Sequence, residues 1–437
     1  MAVSGWFVLL VAVGAIPVVL TGGLPGLLGW AVVVVAVAAA DLALAGSPSA
    51  LEFARDVPGR LRLGEEGRAR LAVVNTGTRP VRGVLRDAWE PSAGARPNRF
   101  RVAIDPGERT VVTTTLRPTR RGERRAAHVT VRAFGPLRLV ARQASTPVAG
   151  AVRVLPPFNS RKHLPSRLAR LRELDGRTSL MVRGQGTEFD SLRDYVRGDD
   201  VRSLDWRATA RRRDPAGLGA RLVVRTWRPE RDRRVVIIVD SSRTSAARIA
   251  DEPRLDTAFE GALLLAALAT RAGDHVDLLV HDRRLRGRVQ GAQGADLLAR
   301  MVDVLAPIEP ELVEGDWDAL PELVRSVTTQ RALVVIFTSI DTPGGSRPLL
   351  GMLPSLTRKH QVVVAAVTDP AVVAATKDRA GSDDVYRAAS AERALLDVAR
   401  VTTALGQVGA DVVAAPPADL PPALADRYLA LKAAGKL

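Results

Sequence analysis

The chain has 437 residues, of which 46% are hydrophobic and 25% are charged, so it has the composition of a folded protein with more than one domain. Its formal net charge of +16 favours anionic partners such as lipid headgroups, acidic proteins or nucleic acid. The sequence contains no cysteine, which excludes disulfides, thiolate zinc sites and cysteine nucleophiles.

Residues 1–46 predict a transmembrane helical hairpin, because Asp41 is the only charged side chain among them. Two apolar runs, at 3–20 and 24–44, each approach the length that a helix needs to cross the hydrocarbon core. The turn between them is uncharged and so short that the two helices must be antiparallel. A cleaved signal peptide is the alternative, but the first six residues lack its basic n-region.

Three arginines, Arg55, Arg60 and Arg62, closely follow the second apolar run and set the predicted orientation. By the positive-inside rule this end of the hairpin lies in the cytoplasm, and so do both termini. The predicted location is therefore the inner cell membrane, crossed twice, with the soluble portion cytoplasmic. Asp41 can reach water at that end, so no functional role is assigned to it.

Residues 51–150 predict a small β-sandwich-like domain. Segments such as Ala69–Val74 and Arg109–Leu116 alternate apolar and polar residues, or are rich in β-branched residues, as half-buried strands do. Short strands at this spacing, separated by turn residues, are typical of an antiparallel sandwich.

Residues 151–232 form a charged segment in which acidic and basic side chains alternate densely. Bidentate Arg–carboxylate pairs would let this segment fold compactly onto the domain that follows, with aromatic side chains as apolar anchors. Paired carboxylates also suit a hydrolase, although neighbouring arginines lower their pKa and make them poor proton donors. The predicted structural and interaction residues are Glu188, Phe189, Arg193, Tyr195, Gly198, Asp199, Asp200, Arg202, Asp205, Trp206 and Arg211.

This segment, with Leu-Arg-Asp-Tyr at 192–195, Gly-Asp-Asp-Val-Arg at 198–202 and Leu-Asp-Trp at 204–206, resembles the signature of a bacterial family. The family is the fifty-eighth "domain of unknown function" family. The resemblance is most specific between residues 180 and 245 and extends more loosely over the whole chain. It implies a MoxR-type AAA ATPase as partner or neighbour.

Residues 233–437 predict an α/β domain. A buried strand ends at Asp240, and predicted helices and strands then alternate, which indicates a parallel sheet with helices on both faces. The spacing of Asp240, Ser242 and Thr244 is similar to the first element of the von Willebrand A metal-ion-dependent adhesion site. The predicted fold class is therefore α/β, with a von Willebrand A-like (Rossmann-like) parallel sheet, an N-terminal transmembrane hairpin and a small antiparallel β-sandwich.

The candidate metal is Mg²⁺, since oxygens on alternate loop residues suit a hard cation that keeps several waters. The von Willebrand A adhesion site also uses a threonine and an aspartate from two further loops. The first of these loops reads Glu314-Gly-Asp316, without a hydroxyl, and the second has Ser339 where aspartate is expected, with Asp341 nearby. Mg²⁺ is therefore the one candidate cofactor. The alternative is that Asp240 and the neighbouring hydroxyls of Ser242 and Thr244 cap the next segment and bind no metal.

The sequence contains no P-loop, dinucleotide fingerprint, HExxH motif or Gly-x-Ser-x-Gly elbow. We therefore expect a non-enzymatic, membrane-anchored scaffold or adaptor that binds proteins through the von Willebrand A-like domain. Its expected partners are a MoxR-type ATPase, the membrane and other membrane or envelope proteins, and not nucleic acid. The alternatives are a hydrolase that uses the central carboxylates and a basic membrane-bound nucleic-acid binder.

Overall fold

The chain is a mixed α/β protein with several sheets, and it divides into two units, Met1–Pro157 and Phe158–Leu437. The computed structural model describes residues 2–21, 23–181, 188–196, 199, 201–211, 222–228, 233–377 and 380–437.

The N-terminal residues form a short strand and then an apolar helical hairpin, in which the first arm is interrupted at Gly14. The elements are β1 (Ala2–Val3), α1 (Gly5–Val13), α2 (Ala15–Thr21) and α3 (Leu24–Leu44). The indole Nε1 of Trp30 in α3 donates to the Leu10 carbonyl in α1 at 3.2 Å. A Cβ at Gly14 would lie 2.1 Å from Trp30 Cδ1, so glycine is what lets the two arms approach each other there.

One described helical segment, Leu24–Ala50, is long and apolar enough to span a membrane. Little of its apolar stretch is buried. Gly5–Leu20 is a shorter apolar helix. The sequence prediction of a long apolar helix near the N-terminus is thus confirmed.

The remainder of the first unit consists of strands that form two sheets. The strands are β2 (Leu51–Asp56), β3 (Arg60–Arg62), β4 (Gly67–Asn75), β5 (Val81–Trp89), β6 (Arg99–Ile104), β7 (Arg109–Leu116), β8 (Gly122–Phe134), β9 (Val140–Thr146) and β10 (Gly150–Leu155). One sheet has the order β2-β4-β7. The other has the order β1-β9-β8-β10-β3, and β5 pairs with β8 and β6 at its side.

Apolar side chains from both sheets share one core. Leu71 and Val73 of β4 pack with Leu85 of β5, Ile104 of β6 and Val129 of β8. The pairings are antiparallel except that between β10 and β3. The domain extends past residue 150, the predicted boundary, because β10 completes the larger sheet beside β8.

The carboxylate of Asp41, near the end of α3, is bound by the β domain. It accepts hydrogen bonds from the backbone N–H groups of Leu137 (2.7 Å), Leu139 (2.9 Å) and Val140 (3.1 Å). Asp41 is only 1% exposed, so the expectation that it reaches water is wrong. Three converging N–H donors provide the interactions that water would otherwise supply to a buried carboxylate.

Two arginines of the β domain bind the carbonyl end of the same helix. Arg142 Nε donates to the Leu42 carbonyl at 3.1 Å, and Arg79 donates to the Ala43 carbonyl. Cations at this position complement the unpaired carbonyls and the negative end of the helix dipole. Both ends of the hairpin are held on the β domain, because β1 also pairs with β9.

The second unit includes α4 (Leu164–Met181) and a small two-stranded antiparallel sheet in the charged segment. This sheet is formed by β11 (Glu188–Asp194) and β12 (Val223–Arg228), and α5 (Trp206–Arg211) lies between them in the chain.

An α/β domain completes the second unit, and at least one helix separates each two successive parallel strands of its sheet. Its elements are β13 (Arg234–Asp240), β14 (Arg248–Ile249), β15 (Glu252–Pro253), α6 (Arg254–Arg271), β16 (His275–His281), β17 (Leu285–Val289), α7 (Gly294–Leu305), α8 (Leu320–Val327), β18 (Leu333–Phe337), α9 (Arg347–Thr357), β19 (Gln361–Val367), α10 (Pro370–Ala375), α11 (Ser382–Gln407), β20 (Ala410–Ala415) and α12 (Leu420–Ala433).

The strand order of this domain is β17-β16-β13-β18-β19-β20, with β13 near the centre. Neighbouring strands are parallel except at the β16–β17 edge, which is antiparallel. Alternate residues of β13 face opposite sides of the sheet. Ile237 packs in the core formed with α6, α7 and α12, and Ile238 packs in the core formed with α8, α9 and α11. Asp240 therefore lies at the carboxyl edge of a sheet covered on both faces.

Candidate functional site

Asp240 is buried at the carboxyl end of β13, and its carboxylate is bound by groups from two loops. Its Oδ1 accepts from the Ser242 backbone N–H at 2.8 Å. Its Oδ2 accepts from the Thr338 hydroxyl at 2.8 Å and from the Thr244 hydroxyl at 3.3 Å. The side chain is only 4% exposed, and groups of the protein supply the hydrogen bonds that water cannot reach it to make.

The three predicted metal-binding side chains do lie together. The hydroxyls of Ser242 and Thr244 are 3.3 Å apart, and that of Thr244 also reaches Asp240. Sequence reasoning gave no role to Thr338, whose hydroxyl donates to the Asp240 carboxylate in the structure. These oxygens are the hard donors that Mg²⁺ prefers, but they include a single carboxylate.

Asp341, the proposed replacement for the missing carboxylate, is engaged elsewhere. Both of its oxygens accept from the Arg254 guanidinium at 2.9 Å. In the part of the chain that the structure describes, no cluster of three or more His, Cys, Asp or Glu side chains is arranged to hold a metal. The donor set at Asp240 therefore fits Mg²⁺ only in part, because it lacks the second carboxylate that strengthens such sites.

A second buried carboxylate, Asp282, follows β16 at the same edge of the sheet, and sequence reasoning missed it. It accepts from the Ser241 hydroxyl at 3.0 Å and from Arg286 at 2.9 Å, besides two backbone N–H groups. Burial opposes its ionisation, but the Arg284 N–H, the Ser241 hydroxyl and the Arg286 guanidinium outweigh this effect and lower the pKa of Asp282. The available signal was its position directly after a buried strand.

Residues 309–316 cross this edge as an acidic loop. The Glu311 N–H donates to the Ser241 carbonyl at 2.9 Å, and the Arg243 N–H donates to the Val313 carbonyl at 3.0 Å. These two bonds flank Leu312, whose side chain is 82% exposed. The cavity beside Asp240, lined by His281, Asp282, Asp316 and Trp317 among others, measures about 10 Å³. It has no room for an organic substrate.

The central charged segment contains the predicted Arg–carboxylate pairs. Arg193 binds both oxygens of Asp199 at 2.7 Å, and Asp199 also accepts from the Val196 N–H at 2.9 Å. Asp205 Oδ2 accepts from Arg225 at 2.8 Å. Gly198 and Asp200 lie outside the described residues. Glu188 and Phe189 are placed as backbone of β11.

Asp205 also begins α5. Its Oδ1 accepts from the N–H groups of Arg207 and Ala208, both at 2.9 Å, as the side chain of a helix N-cap does. The pKa of Asp205 is lowered, first by the Ala208 N–H and then by the Arg225 guanidinium. The carboxylate is therefore a helix cap and an ion-pair partner, and a poor proton donor.

The predicted apolar anchoring of this segment is wrong at Trp206, which is 67% exposed. Tyr195 is half-buried, and its backbone N–H donates to the Leu222 carbonyl at 2.8 Å. Arg202 and Arg211 are exposed. The expected attachment of Trp206 to the α/β domain fails because α5 turns this side chain outward, while Thr209 faces inward and binds the Val223 N–H at 3.0 Å.

Replacing Asp205 with alanine is expected to lower the melting temperature of the second unit, because the change removes two capping bonds and the Arg225 pair together. Asp205→Asn keeps a capping oxygen and should recover part of the loss. Differential scanning calorimetry of the full chain measures both variants. Asp318→Ala, which removes an exposed carboxylate elsewhere in the unit, should leave the transition in place. Equal melting temperatures for Asp205→Ala and the control would contradict a structural role for Asp205.

The arginine-paired segment and most of the α/β sheet fall within one family match. Residues 191–398 match the family model described as "Protein of unknown function DUF58". The match covers just under half of the chain and supports the family that the sequence resembles. Uncharacterized proteins of Mycobacterium bovis and Mycobacterium tuberculosis are each 27% identical to this chain over 248 residues, which is 52% of this chain and 74% of theirs.

Two solved structures show a distant likeness to part of the chain. A β-glucosidase from Listeria innocua is 18% identical, with a TM-score of 0.17, over 24% of this chain and 16% of that chain. The CARDB domain of a Pyrococcus furiosus protein is 19% identical, with a TM-score of 0.19, over 24% of this chain and 91% of that domain. Scores this low support no functional conclusion.

Proposed function

We propose that this protein is a membrane-anchored, non-enzymatic scaffold whose von Willebrand A-like domain binds a protein partner at the carboxyl edge of its sheet. The strand order and the position of Asp240 after the central β13 support the domain assignment. The partner that we propose is a MoxR-type AAA ATPase, as the family resemblance implies.

The observation that carries this proposal is Leu312. A large apolar side chain that is 82% exposed lies on a loop held by backbone hydrogen bonds on both sides. The loop is acidic, with Glu309, Glu311 and Glu314 around it. An exposed apolar side chain on a hydrogen-bonded backbone, surrounded by charged residues, resembles the apolar anchors with a polar rim that are found at protein–protein interfaces.

Two features weigh against the hydrolase alternative. The central carboxylates Asp199 and Asp205 are each bound by an arginine, and the pKa of Asp205 is lowered. A general acid needs the opposite shift.

The two-pass membrane anchor remains part of the proposal. The pairing of Ala2 and Val3 with β9 and the burial of Asp41 against the β domain support a hairpin that is retained rather than cleaved. The cytoplasmic placement rests on fewer charges than the sequence suggested, because Arg55 is buried in an ion pair with Asp87. Arg60 and other exposed arginines of the β domain still favour the cytoplasmic side.

The test is binding of the full chain, in detergent, to the MoxR-type AAA ATPase of the same organism. Leu312→Ser should weaken binding about tenfold or more, because it removes an apolar anchor from the interface. Leu396→Ser, at a leucine 57% exposed on α11, is the matched control and should bind normally. Equal affinities of wild type and Leu312→Ser would place the partner elsewhere.

The same assay tests the metal. Binding should survive EDTA, because protein donors already satisfy Asp240 and no second carboxylate completes a cation shell. Loss of binding in EDTA, restored by added Mg²⁺ and abolished by Asp240→Ala, would show that the site works with a cation.

A further inference from the structure

A cleft of about 680 Å³ lies where the apolar hairpin meets the β domain. Trp6 and Leu44, at the two ends of the hairpin, form part of its wall. Arg82, Arg101 and Arg138 of the β domain line the same cleft. Trp6 is 64% exposed and Leu44 is 57% exposed, so apolar and cationic groups share one solvent-accessible recess.

The cleft continues onto the outer face of the larger sheet. Val84 of β5 is paired with Arg101 of β6 and with Arg132 of β8, and Arg82 is paired with Ala103. Directly opposed residues of an antiparallel pair share a face, so these arginines project together. We call this surface the arginine face, and its members are Arg82, Arg86, Arg99, Arg101 and Arg132.

The arginine face carries no counter-charge of its own. The positions that these pairings place on the face are 82, 84 and 86 of β5, 99, 101 and 103 of β6, 130 and 132 of β8, and 143 and 145 of β9; they contain no Asp or Glu, and all five arginines are exposed. Glu123, exposed near the start of β8, forms an ion pair with Arg125. Arg132 is hydrogen-bonded to Gln143, a neutral side chain. Among the residues that the structure describes, no carboxylate pairs with Arg82, Arg101 or Arg138.

The position of these arginines beside the hairpin decides which anion they suit. Both ends of the hairpin are held on the β domain, so the cleft lies at the level where a membrane-inserted hairpin leaves the bilayer. Guanidinium groups bind phosphate through two parallel hydrogen bonds, and indole rings such as that of Trp6 favour the headgroup region.

We propose that the cleft and the arginine face bind the headgroups of anionic phospholipids in the membrane that holds the hairpin. This inference rests on the membrane anchor of the proposed function. Bound headgroups would neutralise an otherwise unpaired cationic surface and hold the β domain against the bilayer. The lipid would thereby fix the orientation of the domain relative to the membrane plane.

The experiment is native mass spectrometry of the full chain, purified from membranes and equilibrated with phosphatidylglycerol and phosphatidylcholine together. The wild type should retain phosphatidylglycerol in preference to phosphatidylcholine by about tenfold or more. The triple variant Arg82→Gln, Arg101→Gln, Arg138→Gln should lose that preference. The triple lysine variant at the same positions should keep part of it, because charge remains while paired hydrogen bonding is lost.

The matched control is Arg68→Gln, Arg70→Gln, Arg120→Gln, which removes the same charge from exposed positions of the same domain. It should retain the wild-type preference, and circular dichroism should give both glutamine triples the wild-type melting temperature. A preference that persists in the cleft variant, or that falls equally in the control, would overturn the proposal.

Two further arms separate the sources of the anion. Displacement of phosphatidylglycerol by inorganic phosphate at equal concentration would show a soluble-phosphate site and overturn the lipid assignment. Loss of single-stranded DNA binding in the cleft variant, with lipid preference unchanged, would assign the face to nucleic acid instead. The wild type is also treated with alkaline carbonate while in membranes. Release of the protein would refute the membrane anchor. Retention in the membrane fraction without a lipid preference would refute this inference alone.

Discussion

Replacing Asp87 with alanine is expected to lower the free energy of unfolding of the β domain by about 3–5 kcal/mol. Asp87 forms a 2.7 Å ion pair with Arg55 inside the sandwich, and each side chain is only 2% exposed. Trp89 Nε1 also donates to the carboxylate at 2.9 Å, and the Arg55 guanidinium lies 5.2 Å from the centre of the Trp89 ring. Without Asp87, the guanidinium and the indole N–H lose their buried acceptor.

The pair itself need not be strongly stabilising for this loss to be large. Burying two charges costs much of what their attraction returns, but one unpaired buried charge has no compensation. The double variant Arg55→Met, Asp87→Leu should therefore be closer to wild type than Asp87→Ala. Glu52→Ala, at an exposed position of the same strand as Arg55, is the control and should change stability by less than about 0.5 kcal/mol.

Hydrogen exchange of β5 and β8 in the full chain, followed at increasing urea concentration, measures these differences within the β domain. If the β domain of Asp87→Ala unfolded at the same urea concentration as the wild type, Asp87 and Arg55 would not form a buried pair in which each depends on the other. If the double variant were less stable than Asp87→Ala, the Arg55 guanidinium would have to be stabilised by groups other than the Asp87 carboxylate.

Local periodicity in the sequence predicted most of the elements. The run 24–44 is one helix at these boundaries. The apolar run 262–269 predicts a helix over 254–272, and the structure has it at Arg254–Arg271. Helix α9 was missed, although Leu349, Met352, Leu353 and Leu356 are buried at helical spacing. Its two prolines and central glycine resemble loop signals. Pro348 lies in the first turn, where a missing N–H costs nothing, and apolar packing outweighs Pro354.

Contacts between residues far apart in sequence account for the errors at the candidate sites. Asp341 was a candidate ligand by proximity to β18, but its partner Arg254 lies 87 positions earlier. Arg55 was counted as a free positive charge, yet Asp87 lies opposite it inside the sandwich. Trp206 was expected to anchor its segment because aromatic residues are usually buried. No local pattern shows which side of a short helix meets the neighbouring strand.

Asp41→Asn is expected to destabilise the attachment of the hairpin to the β domain by about 2–5 kcal/mol. Both carboxylate oxygens accept from backbone N–H groups, Oδ1 from Leu137 and Oδ2 from Leu139 and Val140. An amide group of the same shape must direct its NH₂ toward at least one of these donors. A buried donor would then face another donor, and the charge that strengthens the remaining bonds would be lost.

Hydrogen exchange in the full chain measures this attachment at the amides of residues 137–140, which should exchange at least about tenfold faster in Asp41→Asn. Gly135→Ala should have a similar effect, because a Cβ there would lie 2.2 Å from both the carbonyl oxygen and Oδ1 of Asp41. Asp105→Asn, the same substitution at an exposed position of the same domain, is the control and should leave the exchange rates of these amides unchanged.

Asp41 is the only charged residue among residues 1–46, and its burial against three N–H groups gives a physical reason for an aspartate there. Wild-type exchange at residues 137–140 in both variants would mean that the hairpin is held by its apolar contacts and helix-end arginines, and that the carboxylate contributes nothing to the attachment.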